Sequence, residues 1–219
     1  MSACLVSEWI LPVVVRYLGV CDYTATFQRM QAFNQTRQPD TADEIWLLQH
    51  HPVFTLGLNG KPEHVLDAGP IPLIQTDRGG QVTYHGPGQF IVYILLDVRR
   101  NALGIRDIVT RLEQSVIAFL ASRNIVAVAR KEAPGVYVQG KKIAALGLRV
   151  KNGSCYHGLS LNVDMDLSPF LRINPCGYAG LEMTSLKKLG MQVSVAQVAS
   201  EILQIIQQQF GIEQVSIYE

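Results

Sequence analysis

Two residues far apart in the sequence could do chemistry if the fold brings them together. The first is Cys176, which stands between Pro175 and Gly177. These neighbours favour a sharply turned, accessible segment over a buried strand. A free thiol titrates at about 8.5, so a nucleophilic cysteine needs a nearby cation, imidazole or helix N-terminus. Taken alone, this position favours an ordinary small residue over a nucleophile, and the same holds for the other three cysteines.

The second residue is Lys142, in the segment 140–147. Strand periodicity predicts that it shares a face with Ala144 and Leu146, opposite Lys141 and Ile143. A lysine among apolar neighbours can be desolvated, which lowers its pKa and suits it to proton transfer. The alternative is a snorkelling lysine that keeps its ammonium in water, and spacing alone favours that alternative.

A third feature is the loop of residues 78–89, RGGQVTYHGPGQ. Four glycines and a proline give it an unusual backbone, while its other side chains supply varied donors and acceptors. The apolar run 90–96 follows directly and is typical of a buried strand. We interpret the loop as a binding site on a rigid scaffold, with an elaborate β-turn as the alternative.

Other motifs give weaker evidence of a functional site. Cys155 and His157 alternate on one predicted strand and so share a face, but the ligand pairs of structural zinc are missing. Asp164 and Asp166 lack the remaining ligands of a calcium loop. Neither glycine-rich nucleotide motif occurs. The sequence therefore predicts neither a metal site nor a nucleotide site.

The elements that must position these residues follow from hydrophobic periodicity. Helices are predicted over about 22–37 with Asp22 as N-cap, along a stripe from Ile105 to Leu120, and beyond a capping box at 194–197. Ser168 and Pro169 are expected to open a short helix as its cap and first residue.

Strands are predicted at 44–49, 53–56, 90–96, 125–129, 135–138, 143–150 and 156–163. Tight turns at 139–140 and 152–153 make the later strands an antiparallel meander. These elements predict one α/β domain over residues 1–219, with a mixed, largely antiparallel sheet flanked by helices.

Composition and charge narrow the class further. The chain is 48% hydrophobic and 17% charged, as globular proteins are. It has no stretch of the roughly 18 apolar residues that a membrane span needs, and no basic residue precedes Arg16, which argues against a secretory signal. The scattered cysteines indicate reduced thiols and a cytoplasmic location.

The net charge of +1 conceals an asymmetry, because residues 99–151 hold eleven Lys or Arg and three acidic residues. This predicts a basic docking surface, for an acidic protein rather than nucleic acid; charges spread over a solvated face are the alternative.

Three segments in collinear order, 78–89, 135–147 and 170–180, resemble the lipoyl(octanoyl) transferases, and residues 157–163 also fit. The similarity runs from about residue 45 to 180. One departure is the pair Ala144 and Ala145, where some relatives carry a cysteine or serine; both residues are small, so we expect the site to tolerate them.

The resemblance implies a fold similar to the catalytic module of biotin and lipoate protein ligases. It also implies a reaction, the first step of endogenous protein lipoylation. An octanoyl group would pass from acyl carrier protein to a lysine of the lipoyl domains of 2-oxoacid dehydrogenase and glycine cleavage complexes. No cofactor is implied, since the acyl group arrives on the carrier's phosphopantetheine.

The resemblance further implies the roles of single residues. Cys176 would form an acyl-thioester, and Lys142 would stabilise its thiolate and shuttle protons. The acyl pocket would be lined by Arg78, Gly79, Gly80, Gln81, Val82, Thr83, Tyr84, His85, Ala145, Leu146, Gly147, Gly158, Leu159 and Ser160. Small residues there would let backbone amides approach the thioester carbonyl.

Three other functions compete with this one. An ATP-dependent lipoate or biotin ligase would form an acyl-adenylate and need no nucleophilic cysteine. A non-catalytic acyl-carrier-binding module would keep the fold without the reaction. A thioesterase would use water in place of the acceptor lysine.

Overall fold

A computed structural model describes residues 11–218; the predictions for Cys4 and for the segment before residue 11 lie outside them. The strands are β1 (Val13–Cys21), β2 (Glu44–His50), β3 (Val53–Leu56), β4 (Leu73–Gln75), β5 (Val82–His85), β6 (Gln89–Asp97), β7 (Val128–Ala129), β8 (Gly135–Val138), β9 (Lys141–Lys151), β10 (Ser154–Asn162) and β11 (Val215–Tyr218). The helices are α1 (Tyr23–Thr36), α2 (Ile105–Ala121) and α3 (Val195–Phe210). Short 3-10 helices lie at Pro62–His64, Ser168–Arg172, Pro175–Gly177 and Lys187–Leu189.

The central element is an eight-stranded sheet in the order β11-β1-β2-β6-β10-β9-β8-β7. The pairs β11-β1 and β1-β2 are parallel, and the remaining pairs are antiparallel. A second sheet, β4-β3-β5, has three strands. The predicted mixed, largely antiparallel α/β fold is confirmed.

Apolar residues cover both faces of the large sheet. On one face, alternate residues of β6 and β10 pack against α2 and α3, whose buried stripes include Leu112 and Ile202. On the other face, Trp46, Ile91 and Tyr93 pack against Met30 of α1. The two-residue alternation of these strands thus buries both faces, and the second face also carries the candidate site.

The predicted helices agree well with the structure. Helix α1 begins after Asp22, whose carboxylate accepts a hydrogen bond from the Ala25 amide at 2.8 Å. Helix α3 begins with the capping box between Ser194 and Gln197. The turns at 139–140 and 152–153 connect β8 to β9 and β9 to β10, which confirms the predicted meander.

Three predictions about elements need correction. The strand expected at 125–129 is reduced to β7, because 125–127 lie outside the ladder with β8. The short helix at 168–172 has Leu167 and not Ser168 at its N-cap position. The segment 78–89, expected to be a loop, contains strand β5, and strands β1, β4 and β11 were not predicted. Among residues 11–218, no helix has the length and apolarity to cross a bilayer.

Candidate active site

The two candidate catalytic side chains meet in the fold. Lys142 Nζ lies 2.9 Å from Cys176 Sγ, which it can reach as a hydrogen-bond donor. Lys142 is only 1% exposed, so the snorkelling alternative is wrong. Cys176 is half-buried and has a φ of 58°, in the left-handed region that residues with a Cβ rarely adopt. Such strain is typical of functional sites.

A bulge and a short parallel bridge hold Lys142 in place. Tyr137 pairs with Lys142 while Val136 pairs with Ala144, so Ile143 is an extra residue, and the simple alternation predicted for this strand breaks there. On its other side the Lys142 amide donates to the Glu182 carbonyl at 2.9 Å. The backbone of Lys142 is therefore fixed by β8 on one side and by the bridge to residues 182–184 on the other.

The side chain of Lys142 is equally confined. Gly135 has a φ of 148°, and a Cβ there would lie 2.3 Å from Lys142 Cε, so only glycine fits. Lys142 Nζ also lies 5.4 Å from the centre of the Tyr137 ring. The Gly135 amide donates to Glu113 Oε1 at 2.9 Å. Burial raises the pKa of Glu113, while this amide and the charge of Lys142 oppose the rise.

A pocket opens beside Cys176, between the loop after residue 77 and the face of the large sheet that packs on α1. Its lining combines residues of that loop, of β6, β9 and β10, and of α1. The residues are Tyr23, Arg78, Gly80, Gln81, Val82, Thr83, His85, Ile91, Tyr93, Ala145, Leu146, Gly147, His157, Gly158, Leu159, Ser160 and Cys176. Twelve of the fourteen predicted lining residues are among them.

Small residues on β9 and β10 make room for this pocket. Gly158 pairs with Gly147, and in the neighbouring rows Ser160 pairs with Ala145. A Cβ at Gly158 would lie 2.0 Å from the Val92 carbonyl oxygen, so this position accepts only glycine. These small residues therefore leave a depression in the surface of the sheet where the loop crosses it.

Gly79 and Tyr84 were predicted to line the pocket and do not. The Gly79 amide donates to the Leu148 carbonyl at 2.9 Å and so ties the loop to β9. Tyr84 is buried on the other side of β5, against the rings of Phe54 and Phe170. Alternation along β5 explains this, because Tyr84 points away from Thr83 and His85.

Arg78 lines the pocket and is also the anchor of its loop. Its guanidinium donates to Thr55 O at 2.7 Å, to Gln81 O at 2.8 Å and to Gly79 O at 2.9 Å. It also donates to Thr55 Oγ1. All these acceptors are uncharged, so a buried positive charge stands at the pocket without a carboxylate bonded to it.

His157 differs from its prediction. Its φ of 64° breaks the alternation of β10, so it does not share a face with Cys155. Cys155 belongs to the α2 and α3 core, whereas His157 contacts the rings of Phe27 and Tyr93. The predicted common face is therefore wrong, and among residues 11–218 no group of His, Cys, Asp and Glu could hold a metal.

The His157 ring donates to Asp77 Oδ1 at 2.9 Å, and Tyr156 donates to the other oxygen. Burial opposes ionisation of Asp77, but these bonds and one from Gln31 lower its pKa to about 2. Burial lowers the pKa of His157, while the hydrogen bond and the charge of Asp77 oppose this fall.

His85 lies among aromatic neighbours that sequence reasoning missed. Its ring stacks on Tyr23 at 6.0 Å, and His50 bonds the Tyr93 hydroxyl at 2.8 Å. Burial lowers the pKa of His85 to about 3 and that of His50 to about 4. Tyr23, Ile91 and Tyr93 are pocket residues that looked like ordinary apolar positions, and only the alternation of β6 could have placed the last two on one face.

Cys21, Cys155 and Cys176 are free thiols. Burial raises the pKa of Cys155 to about 12 and also raises that of Cys21, so neither is prepared for attack. Of these three, Cys176 is the one that lines the pocket and contacts a lysine.

Comparisons with known proteins agree with this geometry. The family model for the lipoyl protein ligase A/B catalytic domain matches residues 22–207. The octanoyltransferase of Stutzerimonas stutzeri is 57% identical over 202 residues, which cover 92% of this chain and 92% of the relative. The octanoyltransferase of Chromobacterium violaceum is 54% identical over 193 residues, which cover 88% and 93%.

Solved structures support the fold alone, because their sequence identity is low. A lipoate-protein ligase A bound with ATP has a TM-score of 0.77 at 14% identity and covers 95% of this chain and 90% of that chain. A biotin protein ligase from Aquifex aeolicus has a TM-score of 0.53 at 14% identity, covering 91% and 70%. The chain belongs to the octanoyltransferases, acyltransferases of the lipoyl protein ligase A/B catalytic-domain family.

Proposed function

We propose that this octanoyltransferase moves its acyl group from an acyl carrier protein to a lysine of a lipoyl domain, through a thioester on Cys176. The observation that carries the proposal is the 2.9 Å contact between Lys142 Nζ and Cys176 Sγ at the edge of a pocket. Covalent catalysis divides the transfer into two exchanges at one carbonyl.

In the first exchange the Cys176 thiolate attacks the carbonyl carbon of the carrier's thioester. The bond from carbon to the carrier's sulfur breaks, and that sulfur takes a proton from the Lys142 ammonium. The products are the free carrier thiol, octanoyl-Cys176 and a neutral Lys142.

In the second exchange the amine of the acceptor lysine attacks the same carbon. Lys142 takes the proton that the amine loses, and Cys176 leaves as a thiolate. The amide is complete and the starting ion pair is restored, so no outside oxidant, reductant or nucleotide is consumed. The positive charge of Arg78, to which no carboxylate among residues 11–218 is bonded, favours the negative charge that develops in both steps.

The pocket fits an acyl chain because apolar and aromatic groups dominate its walls. Ile91, Leu146 and Leu159 come from adjacent strands, and Tyr23 and Tyr93 add rings. The predicted lining residues, from Arg78 to His85 and on β9 and β10, would hold the chain, apart from Gly79 and Tyr84, which support the loop.

Some of the basic residues predicted to form a docking surface instead form hydrogen bonds within the fold. Arg100, Arg123 and Lys142 are bonded to internal partners. Arg130 and Lys131 remain exposed, in the turn whose Glu132 carbonyl the Tyr178 hydroxyl contacts at 3.5 Å. This turn therefore lies beside the Cys176 loop, where an acidic carrier would dock.

Intact-mass analysis tests the central step. Wild-type protein incubated with octanoyl-carrier and no ATP should gain one octanoyl group, and peptide mapping should place it on Cys176. Addition of a lipoyl domain should discharge it to the domain's lysine. Strict dependence on ATP, or free octanoate as the only product, would overturn the proposal in favour of a ligase or a thioesterase.

Thiol labelling tests the activation of Cys176. Iodoacetamide should react with Cys176 faster than with Cys155, which is sealed in the core, and Lys142→Ala should reduce the difference. Equal labelling of both thiols in native protein would contradict the assignment.

Docking is tested by salt and by charge reversal. Lys131→Glu should raise the KM for the carrier and weaken its dependence on ionic strength, whereas Arg106→Glu on exposed α2 should not. A transfer rate insensitive to salt in wild-type protein would remove this part of the proposal.

A further inference from the structure

A chain of buried side chains connects the pocket wall to the strand that carries Lys142. It begins at His85, whose Nδ1 lies 2.7 Å from Gln89 Oε1. Gln89 Nε2 in turn donates to Asn162 Oδ1 at 3.0 Å and to the Tyr84 carbonyl at 3.3 Å. Because both neighbours of Nε2 are acceptors, the orientation of the Gln89 amide is fixed, and His85 must donate from Nδ1.

The chain continues in the same direction beyond Asn162. Asn162 Nδ2 donates to the Thr184 carbonyl at 2.9 Å. The Thr184 amide donates to the Lys142 carbonyl at 2.9 Å, next to the bond from the Lys142 amide to Glu182. The side-chain bonds from His85 through Gln89 and Asn162 to the Thr184 carbonyl run in one direction, and bonds aligned in this way strengthen one another.

We call this chain of hydrogen bonds from His85 through Gln89 and Asn162 to Thr184 the relay, and its residues are shielded from water. Gln89 and Asn162 are 1% and 2% exposed, and His85 and Thr184 are also buried. A lost bond could not be replaced by solvent, so the relay holds its members firmly. The backbone of Asn162 also holds the segment that contains Thr184, since its carbonyl accepts a hydrogen bond from the Leu186 amide at 3.0 Å.

We propose that Asn162 is a positioning residue that sets Lys142 against Cys176, by holding the 182–184 segment to β9 from the side of the pocket. It touches neither the acyl group nor the thiol, and acts through Thr184 and the backbone of Lys142. This inference depends on the proposed role of the Lys142 and Cys176 pair.

The chain offers a matched control for this residue. Asn34 is also a buried asparagine whose side chain donates to a backbone carbonyl of β9, that of Lys151 at 3.2 Å. It lies at the opposite end of the strand, away from Lys142. Asn34→Ala therefore removes a similar bond from the same strand without disturbing the 182–184 segment.

The experiment compares Asn162→Ala with Asn34→Ala in transfer assays with octanoyl-carrier. Asn162→Ala should lower kcat by about 10- to 100-fold, because small displacements of a catalytic group are costly, and leave the KM for the carrier unchanged. The pH profile of Cys176 alkylation should move towards that of Lys142→Ala. Asn34→Ala should change neither quantity.

Two further variants keep the test decisive if Asn162→Ala folds poorly. Asn162→Asp keeps the acceptor for Gln89 but donates to Thr184 only when protonated, so its kcat relative to wild type should rise as pH falls. Gln89→Met should show a weaker defect in the same direction.

The inference is overturned if both Asn162→Ala and Asn162→Asp have the same kcat and the same alkylation profile as Asn34→Ala. This conclusion requires that Cys176→Ala is inactive in the same assay. If Cys176→Ala still transfers octanoate, the proposed function fails instead, and the two failures are distinguishable.

Discussion

Two buried clusters of charge in this molecule are built on opposite plans. In the first, Asp43 bonds Arg37 and Arg100, and accepts from Asn101 Nδ2 at 2.6 Å and from the Asp97 amide at 2.8 Å. In the second, Lys142 and Arg78 are equally buried, yet among residues 11–218 no carboxylate forms a salt bridge with either.

Under the proposed function, the difference separates a structural cluster around Asp43 from a reactive cluster around Cys176. Around Asp43 both arginines already bond to one buried carboxylate inside the fold. Around Cys176 the cations are held by a thiol, backbone carbonyls and one hydroxyl, so we expect their charge to be available to an anion formed in the proposed reaction. Buried cations without acidic partners are costly, and a fold retains them at positions where they act.

The strongest test of the reactive cluster removes its nucleophile. Cys176→Ala should abolish octanoyl transfer and the acyl-protein adduct, while circular dichroism and the melting temperature stay close to wild type. Cys21→Ala, which removes a thiol outside the pocket, should retain transfer. Residual turnover in the Cys176 variant above the rate without protein would contradict the comparison.

The next test changes the cation. Lys142→Ala should slow acylation by about 10²- to 10⁴-fold, the range expected for loss of a general acid and base. Lys142→Arg should remain slow, because a guanidinium keeps the charge but does not exchange its proton. Lys151→Ala, at the exposed far end of the same strand, should be close to wild type. Single-turnover acylation followed by mass spectrometry measures all three.

The structural cluster should respond in the opposite manner. Asp43→Asn leaves two buried arginines without a counter-charge and should reduce the free energy of unfolding by about 3–5 kcal/mol. At a temperature where the variant is folded, the rate of octanoyl transfer per folded molecule should equal that of wild type. Denaturant titration together with active-site labelling separates the two effects, and a stable variant with reduced kcat would contradict the division of roles.

The last test concerns stability in acid. His50 and His85 have folded-state pKa values of about 4 and about 3, below the unfolded value of about 6.5. Their contribution to stability is complete above about pH 6.5 and is lost as pH falls towards these folded values, because the unfolded chain binds the protons.

The free energy of unfolding should therefore decrease by a few kcal/mol between pH 7 and pH 4. His50→Gln should flatten this slope, whereas exposed His51→Gln should not. Asp77, with a pKa of about 2, keeps its contribution over the same range. Equal slopes in all three proteins would rule out the histidines as the cause.

The sequence predicted the reactive cluster better than the structural one. Cys176, Lys142 and most of the pocket residues were named through the family resemblance, whereas residue types and spacing alone favoured an ordinary cysteine and a snorkelling lysine. Hydrophobic periodicity also predicted α1, α2 and α3, and with the tight turns it predicted the meander. What failed depended on single backbone angles and on pairing between distant segments.

His157 shows the first kind of failure, since one positive φ turns its ring to the other face of β10. Lys142 shows the second, because its burial depends on the bulge at Ile143 and on bonds to Glu182 and Thr184. Strands β1 and β11 escaped prediction because their parallel pairing joins the two ends of the described chain. No local pattern encodes such partners.

The parallel bridge between Lys142 and Met183 has a consequence for synthesis on the ribosome. A nascent chain that has emerged only as far as Gly180 already contains both members of the reactive pair, which are 34 residues apart. It still lacks the segment that borders Lys142. Under the proposed function, we expect the thiol to become activated only after residues 182–184 have emerged and docked beside Lys142.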